Sequence, residues 1–335
     1  MEIHSQVHAR NLKKFGEYRP EVVVLTADLS ESCETGYFRD TYRDRFITCG
    51  VSEQNMMSIA GGLAREGFIP FVHTFGVFIY RRALDQIAMS IAYPNLPVKM
   101  FGFLPGIMTP GGATHQAIED VAVMRALPNM TVLDVGDVTE VESVLDLAVS
   151  IDGPVYVRML RGEIPRLFPA TEPMRLDTPR VLATGTDVVV LSSSICTEEA
   201  LRATAALRAK GVSVGHVHVS TLKPFTLAKV ADVVGAAKHG IITMENHTVI
   251  GGLGTIVAEQ LVELGLRQRL VKLGLQDTFA HGASRRYLAR EYRIDAIALV
   301  EEVETLLGTR FGITEADLAE VRIEAIHSSA KAEAL

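Results

Sequence analysis

An acidic residue stands at the head of an apolar helical pattern in the stretch GVSEQNMMSIAGGLA, residues 50–64. The carboxylate of Glu53 would lie beside the apolar stripe that begins with Met56 and Met57, where ionisation is costly unless another group pairs with it. One interpretation is an ordinary helix start, because Ser52 suits an N-cap and acidic side chains complement the positive end of the helix dipole. The other interpretation is a chemical role for the acid.

Other polar segments also follow strand-like runs. They are ADLSES at 27–32, HTF at 73–75 and PGGATHQ at 110–116. Because ligands bind at the carboxyl ends of parallel strands, we expect these segments and Glu53 to share one rim of a sheet. His115 follows a Gly-Gly turn and is predicted to open a helix, a position that suits a proton-handling or substrate-binding group. A helix cap or an ordinary surface histidine is the alternative.

The elements that must position these residues alternate along the chain. The predicted strands are 21–27, 46–49, 68–75, 97–103, 130–135 and 154–158. The predicted helices begin at Glu53 and then cover 77–93, 115–127 and 138–150. This alternation indicates βαβ units and a largely parallel sheet with helices on both faces.

The alternation stops over 161–186, a proline-rich segment that we predict to be an interdomain linker. A second α/β set follows, with strands predicted at 187–194, 212–219, 240–246 and 270–274 and helices at 284–291 and 294–307. We therefore predict an α/β fold of two doubly wound domains, at 1–160 and 187–308. The tail at 309–335 carries a candidate extra helix capped at Thr314.

Composition narrows the class of protein. The chain has 335 residues, 48% of them hydrophobic, and a formal net charge of -7 without basic clusters, which argues against a nucleic-acid partner. Cys33, Cys49 and Cys196 lack CxxC spacing, so neither a disulfide framework nor a cysteine zinc site is expected, and a reducing cytoplasm fits best. The most apolar run, 68–80, is too short to span a membrane, and the N-terminus shows no export signal.

Five stretches carry a family resemblance. They are GVSEQNMMSIAGGLA, HTFGVFIYRRALDQIAMSIAYPNLPVK, GGATHQAIEDVAVMRALPNMTVL, GPVYVRMLRG and ENHTVIGGLGTIVAEQL. In order and spacing, residues 5–308 resemble the small, C-terminal subunit of a split, thiamine-diphosphate-dependent transketolase. The resemblance implies a pyrimidine-binding domain followed by a transketolase C-terminal domain. It also implies transfer of a two-carbon ketol unit from a ketose, expected to be phosphorylated, to an aldehyde.

The resemblance assigns cofactor contacts. Glu53 matches the glutamate that contacts N1′ of the aminopyrimidine and so promotes loss of the thiazolium C2 proton. An apolar setting suits this task, since burial disfavours ionisation of a carboxyl group. Phe75 and Phe78 match the rings that line the pyrimidine pocket, although the pattern alone would place them in the core. Asp28 matches a loop near the thiazolium.

The resemblance also assigns substrate contacts. His115 matches the histidine that reaches substrate oxygens and shares in catalysis. Arg161 matches the arginine that anchors a sugar phosphate, a task that favours the guanidinium fork, with a solvated linker arginine as the alternative. Ser32 lies on the loop expected near the substrate phosphate, and Arg82 is a further anion-binding candidate.

The cofactor's diphosphate lacks a site in this sequence. The family binds diphosphate and Mg²⁺ through a GDG sequence followed by an Asn, and no GDG occurs here. The segment GGLGT at 251–255 lacks the third glycine of a dinucleotide fingerprint and predicts close helix packing. We therefore expect a separate large subunit that carries the GDG motif, supplies most of the Mg²⁺ ligands and completes the site. The expected assembly holds two copies of each subunit about a twofold axis, and the chain alone should be inactive.

Departures from the family pattern bear on the substrate. Transketolases carry an acidic residue shortly before the THQ or SHQ triplet and a histidine near the end of the preceding strand. Here the region reads GFLPGIMTPGGATHQ, with Leu104 near the histidine position and no acid. The missing polar groups should weaken recognition of an ordinary sugar acceptor, so an atypical ketose or aldehyde is predicted.

Three other functions stay open. The beta subunit of a 2-oxoacid dehydrogenase E1 component shares the two-domain plan, and deoxyxylulose phosphate synthase resembles GPVYVRMLRG. A non-catalytic regulatory subunit could retain the fold, although Glu53 argues mildly against it. A zinc site at His216 and His218, or at Glu245 and His247, is also conceivable, but such side chains more often form hydrogen bonds at a sheet margin, so we assign no metal ligand to this chain.

Overall fold

The computed structural model describes residues 2–319, and these form two α/β units, each built on its own sheet. The first unit contains six parallel strands whose sequences are rich in Val, Ile and Phe and whose central members are buried throughout. These strands are β2 (Val22–Thr26), β3 (Phe46–Thr48), β4 (Ile69–Phe75), β5 (Lys99–Phe103), β6 (Thr131–Asp134) and β7 (Val155–Met159).

Helices cover both faces of this first sheet. They are α1 (Val7–Tyr18), α2 (Gly36–Thr41), α3 (Glu53–Arg65), α4 (Gly76–Gln86), α5 (Asp120–Ala126) and α6 (Val138–Ser150). A 3-10 turn at Arg43–Arg45 precedes β3, and α4 continues as a π-helical segment, Ile87–Ala92. A two-residue strand β1 (Ile3–His4) pairs antiparallel with β8 (Ile164–Pro165) outside the main sheet.

The second unit contains a five-stranded sheet. Its strands are β9 (Arg180–Ala183), β10 (Val188–Ser192), β11 (Val214–His218), β13 (Gly240–Thr248) and β14 (Leu270–Leu275). Its helices are α7 (Cys196–Ala209), α8 (Ala231–Gly235), α9 (Leu253–Glu263), α10 (Arg285–Glu291), α11 (Ala296–Leu307) and α12 (Glu315–Ala319), with a 3-10 turn at Leu227–Val230. The strand order is β14-β13-β10-β11-β9, and only β9 runs antiparallel to its neighbour.

The two units share a sheet edge. Strand β12 (Thr221–Lys223) leaves the second unit and pairs antiparallel with β6, so the first sheet has the order β12-β6-β7-β5-β4-β2-β3. The prediction of an α/β fold with two doubly wound units is confirmed. The strands β2 to β5 run parallel with their carboxyl ends on one edge, which is where the candidate residues were expected.

One expectation differs from the structure. The helix predicted at 115–127 begins only at Asp120, so His115 lies in a turn and does not open a helix. Pro110 and the glycines beside it keep the chain irregular, and Gly112 has a φ of +71°. The segment 161–186 stays a predicted linker, and it includes the short strands β8, paired with β1, and β9, paired with β11.

The C-terminal tail is described only in part. Helix α12 begins after Thr314, whose hydroxyl accepts from the backbone N–H of Asp317 at 3.4 Å, as the candidate cap suggested. The remainder of that predicted tail, 320–335, lies outside the described residues. Within 2–319, no helix is both long enough and apolar enough to cross a bilayer.

Candidate active site

Helix α3 presents the acid to the rim of the first sheet. Its buried positions include Met56, Met57, Ala60 and Ala64, which share one face at helical spacing and pack toward the sheet. Glu53 is the first helical residue, and its position beside this stripe leaves it only 3% exposed. The sequence prediction of an acid at the head of an apolar helix is therefore realised in the local structure.

The Glu53 carboxylate is paired with an arginine. Arg82 Nη1 donates to both carboxylate oxygens, at 3.1 and 3.0 Å. The two side chains differ in exposure, since that of Arg82 is 44% exposed and that of Glu53 only 2%. Among residues 2–319, this guanidinium is the only hydrogen-bond donor to the Glu53 side chain. The buried acid thus depends on one partner that faces solvent.

The beginning of α4 supplies the aromatic rings. Phe75 ends β4 and Phe78 lies in the first turn of α4, and their rings stack at 5.8 Å between centroids with an interplanar angle of 29°. Phe78 and Arg82 are four residues apart and so share one helix face. The Arg82 guanidinium lies over the Phe78 ring, with Cζ 3.9 Å from the centroid.

His115 approaches these rings from a loop. Its ring meets Phe78 edge-on at 5.5 Å and Phe75 at 6.3 Å. The Nδ1 atom lies 2.8 Å from the Thr114 hydroxyl, and the side chain is half-buried. The structure therefore brings together five of the predicted residues, and we name them the acid–aromatic cluster: Glu53, Phe75, Phe78, Arg82 and His115.

The remaining predicted residues lie near the end of β2. Arg161 Nη1 donates to the Ser32 backbone carbonyl at 2.5 Å, and burial lowers the pKa of its guanidinium below the usual value against the effects of Cys33 and Glu34. Asp28 occupies the exposed turn after β2, with φ at +63°. These three residues are not members of the acid–aromatic cluster, although they extend the same edge of the sheet.

The cluster fits a planar heterocycle. The guanidinium of Arg82 is planar, rests on the Phe78 face and hydrogen-bonds the Glu53 carboxylate at the same time. An aminopyrimidine ring is also planar and offers nitrogen atoms to the acid, so it could make the same pair of contacts. Glu53, Phe75 and Phe78 are accordingly the residues that could hold such a ring.

The polar side chains weighed for zinc are engaged elsewhere. His216 Nε2 lies 2.8 Å from Ser192 Oγ, and His218 Nε2 lies 3.1 Å from a Glu140 carboxylate oxygen. Glu245 accepts backbone N–H groups, and His247 Nδ1 lies 2.7 Å from the Thr248 carbonyl. Within the described part of the chain, no group of three or more His, Cys, Asp or Glu side chains is arranged to hold a metal ion.

Sequence reasoning passed over a buried ionic group beside the cluster's loop. Arg158, at the end of β7, donates to Asp120 Oδ2 at 2.8 Å and to Asp134 Oδ2 at 3.0 Å, and all three side chains are almost fully buried. The sequence did contain a signal for this group, because the buried strands β6 and β7 each carry a charged residue near their carboxyl end. Burial of these charges requires the pairing that is observed.

Comparison with known proteins assigns both units to one family. Residues 4–166 match the family model described as transketolase, pyrimidine binding domain, and residues 178–298 match transketolase, C-terminal domain. A transketolase family protein of Sinorhizobium fredii is 37% identical over 88% of this chain and 86% of its own length. A 6-deoxy-6-sulfo-D-fructose transketolase subunit of a Clostridium species is 36% identical over 86% of this chain and 89% of its own length.

A solved structure shows the same architecture. It is described as a split gene transketolase, inactive beta4 tetramer, and matches with a TM-score of 0.83 and 37% identity over 90% of this chain and 97% of that one. A 1-deoxy-D-xylulose-5-phosphate synthase of Chlorobium phaeovibrioides is 32% identical over 90% of this chain but only 47% of its own length. With both domains matched and close relatives of its own length, the chain belongs to the transketolase family and has the organisation of a split-gene transketolase subunit.

Proposed function

We propose that this chain is the small subunit of a thiamine-diphosphate-dependent transketolase that transfers a two-carbon ketol unit from a ketose to an aldehyde. Membership of the family implies dependence on thiamine diphosphate. One observation supports the assignment most directly: the buried Glu53 carboxylate contacts a planar group that rests on the Phe78 ring. The same contacts would serve an aminopyrimidine.

Each residue of the cluster has a role in this proposal. When bound, thiamine diphosphate supplies the carbon nucleophile for the ketose carbonyl. Glu53 would contact N1′ and share a proton with it, and its burial limits competing hydration. Phe75 and Phe78 orient the flat ring, and His115 contacts substrate oxygens from the facing loop. The Arg82 guanidinium releases Glu53 and remains at the rim as an anion-binding group.

A separate large subunit completes the site in this proposal. The chain has no GDG sequence, and cofactor diphosphate with Mg²⁺ needs oxygen ligands and backbone donors of that kind. We propose that a GDG-bearing subunit supplies them, and that two copies of each subunit assemble about a twofold axis. A site divided between chains would account for the 44% exposure of the Arg82 side chain beside a buried acid.

The substrate is proposed to be an anionic ketose. Arg161 and Ser32 lie along the same edge of the sheet as the cluster and are the proposed contacts for the terminal anion, with Asp28 nearer the cofactor. The loop before His115 lacks the acid of ordinary transketolases, so common pentose phosphates should be poor substrates. The Clostridium relative is named for a sulfo-sugar, which makes a terminal sulfonate a specific alternative to phosphate.

The decisive experiment is reconstitution. The chain is mixed with a GDG-bearing subunit encoded beside it, Mg²⁺ and thiamine diphosphate, and ketol transfer is followed with xylulose 5-phosphate, fructose 6-phosphate and 6-deoxy-6-sulfo-fructose as donors. We expect transfer only when both chains are present and a preference for a donor other than xylulose 5-phosphate. Robust transfer by the small chain alone would refute the two-subunit proposal.

A second candidate function follows from the synthase similarity. A 1-deoxy-D-xylulose-5-phosphate synthase would release carbon dioxide from pyruvate, as would a 2-oxoacid dehydrogenase beta subunit from its own substrate. The same reconstituted complex is therefore supplied with pyruvate, with and without glyceraldehyde 3-phosphate. Carbon dioxide release without ketol transfer would favour one of these enzymes, and absence of both reactions would favour a regulatory subunit.

A further inference from the structure

The loop that carries His115 has no regular secondary structure of its own. It spans residues 104–119, between β5 and α5, and contains the Pro110-Gly111-Gly112 turn. Such a loop has considerable conformational freedom unless other parts of the molecule restrain it. Arg81 of the first unit donates to the Ala113 carbonyl at 2.9 Å. Further restraints come from the second unit, whose part in the reaction is otherwise unassigned.

Asn246, on β13 of the second unit, holds the beginning of the loop. Its Oδ1 accepts the Ile107 backbone N–H at 2.9 Å, and its Nδ2 donates to the Pro105 carbonyl at 2.9 Å. Gly106, between them, has φ at +59°, and a Cβ there would overlap the Asn246 side chain. The turn at 105–107 is therefore built directly against this fully buried amide.

The far end of the loop is held by the same strand and its neighbours. The Thr248 backbone N–H donates to the Ile118 carbonyl at 2.8 Å. Gln116, which directly follows His115, donates through Nε2 to the His281 carbonyl at 3.3 Å and to the Thr109 carbonyl at 3.3 Å. The second unit thus contacts the loop before, beside and after His115.

Asn246 is itself held in place from the first unit. Arg158 Nη2 donates to the Asn246 carbonyl at 2.9 Å and to the Ala117 carbonyl at 3.3 Å. Because Arg158 is also paired with Asp120 and Asp134, the backbone at Asn246 is tied to a buried ionic group. The strand that carries the amide is therefore anchored beside the loop.

We propose that the second unit positions His115 for the reaction, with Asn246 as the positioning residue. The proposal rests on the proposed function for the assignment of His115 to the substrate. Its physical basis is that displacement of a catalytic group by a fraction of its hydrogen-bond length costs much of the rate. In this view the transketolase C-terminal domain fixes a loop of the active site that belongs to the pyrimidine domain.

A purely structural role is the alternative, and the chain offers a matched control. Gln260 bridges an N–H and a carbonyl two residues apart, as Asn246 does: its Oε1 accepts from Leu227 N–H at 2.5 Å, and its Nε2 donates to the Phe225 carbonyl. Both of these partners lie within the second unit, remote in sequence from the His115 loop. Asn246→Asp and Gln260→Glu therefore remove the same kind of donor at two places.

The test measures loop mobility and kinetics together. Hydrogen exchange is followed by mass spectrometry on the full chain, and kcat, KM and half-saturation by thiamine diphosphate are measured in the reconstituted two-subunit complex. In Asn246→Asp we expect exchange within 104–119 to become about tenfold faster and kcat to fall about tenfold, with cofactor half-saturation unchanged. In Gln260→Glu we expect neither change, even where thermal stability falls by a similar amount.

A second variant covers a folding failure. Gln116→Met removes the donor to His281 but leaves Asn246 intact, and it should produce the same two changes at smaller amplitude, about threefold. The proposal is overturned if a folded Asn246→Asp or Gln116→Met variant exchanges within 104–119 at the same rate as Gln260→Glu. It is also overturned if exchange is faster but kcat of the active complex is unchanged. If the wild-type complex shows no ketol transfer while exchange within 104–119 is faster in Asn246→Asp, the proposed function is contradicted. The restraint by Asn246 on the loop is then established without it.

Discussion

Two buried glutamates lie at helix N-termini, and different kinds of hydrogen-bond donor bind their carboxylates. Glu245, on β13, accepts the backbone N–H groups of Leu253 at 2.6 Å and Gly254 at 2.9 Å, which begin α9. Glu53 begins α3, and its carboxylate is bound by the half-exposed side chain of Arg82. Backbone donors cannot leave without unfolding the helix, whereas a surface arginine can rotate away. The same residue type therefore serves structure in one unit and remains available for chemistry in the other.

The surroundings of the two acids reinforce this contrast. Gly252 lets the turn before α9 approach Glu245 so closely that a Cβ would overlap its carboxylate. Burial raises the pKa of Glu245 to about 7, in spite of the opposing effect of its two backbone hydrogen bonds. The Arg82 guanidinium that binds Glu53 rests on the Phe78 ring, which the His115 ring meets edge-on. A partly exposed side chain therefore binds the acid of the first unit, whereas backbone groups bind that of the second.

The largest expected effect comes from Glu53→Gln. The amide cannot hold the proton at N1′ that the proposed reaction requires, so ketol transfer by the reconstituted complex should fall about 10³-fold. The temperature of thermal unfolding should change little, because the Glu53 carboxylate is paired with an arginine whose side chain is partly exposed. Kinetic assays and a melting curve on the same preparation check both statements, and near-normal turnover would remove Glu53 from the mechanism.

The next effect concerns stability and comes from Glu245→Gln. An amide can accept only through its oxygen, so one of the two helix N–H groups loses its partner in a buried site. We expect the free energy of unfolding to fall by about 2 kcal/mol in denaturant titrations. Ketol transfer per folded complex should be unaffected. A variant as stable as the wild type would mean that the two acids do not differ in the way proposed.

The pH dependence of this second effect has a definite sign. The pKa of Glu245 is raised to about 7 in the folded chain and is ordinary in the unfolded chain, so folding takes up a proton between these two values. Wild-type stability therefore decreases as pH rises from about 4.5 to 7 through this group. The stability difference between wild type and Glu245→Gln should accordingly be larger at pH 5.5 than at pH 8. A pH-independent difference would contradict the raised pKa.

A smaller effect is expected for Phe78→Ala. The substitution removes the ring on which the Arg82 guanidinium rests and with which Phe75 and His115 make contact. Half-saturation by thiamine diphosphate in the reconstituted complex should rise about tenfold, measured calorimetrically as well as by activity. Tyr42→Ala is the control, since its ring also lies under an arginine, Arg45 at 4.4 Å, away from the cluster. Equal effects of both substitutions would show that general destabilisation is responsible.

Local sequence patterns were enough to predict the helices that carry Glu53 and the residues that share a helix face. The apolar stripe behind Glu53 gave the start of α3, and Asp137, whose side chain accepts from Glu140 N–H, fits the predicted helix at 138–150. Phe78 and Arg82 share a face through their four-residue spacing. Their meeting with Glu53 depends on the order of strands in the sheet, which no local pattern contains.

Long-range contacts account for the rest. The prediction that His115 opens a helix was wrong because the loop around it is shaped by Asn246, which lies 139 residues from its partner Ile107. Glu245 and Asn246 were visible as polar residues at the end of a buried strand, yet neither spacing nor composition shows which backbone groups they bind. The acid–aromatic cluster required the fold, or a resemblance to a known family, before its members could be grouped.

The smallest predicted effect tests whether the partner of Glu53 is indeed replaceable. In Arg82→Gln the acid loses its cation, and the cofactor no longer competes with an ion pair whose arginine is partly exposed. Half-saturation by thiamine diphosphate should therefore fall about two- to threefold, as expected for a partly solvated pair. High salt should have the same effect on the wild type but not on the variant, because salt screens the pair. Arg166→Gln, which breaks the pair with Glu142 elsewhere in the first unit, is the control.

The opposite result would be equally informative about Arg82. If its guanidinium binds the substrate anion, the KM for a phosphorylated or sulfonated ketose should rise in Arg82→Gln, and Arg82→Lys should restore part of the loss because it keeps the charge without the planar fork. A tenfold rise in cofactor half-saturation would instead show that Arg82 belongs to the cofactor site. Glu53 would then have a fixed partner, as Glu245 does, and the contrast between the two helix N-termini would reduce to one of solvent exposure.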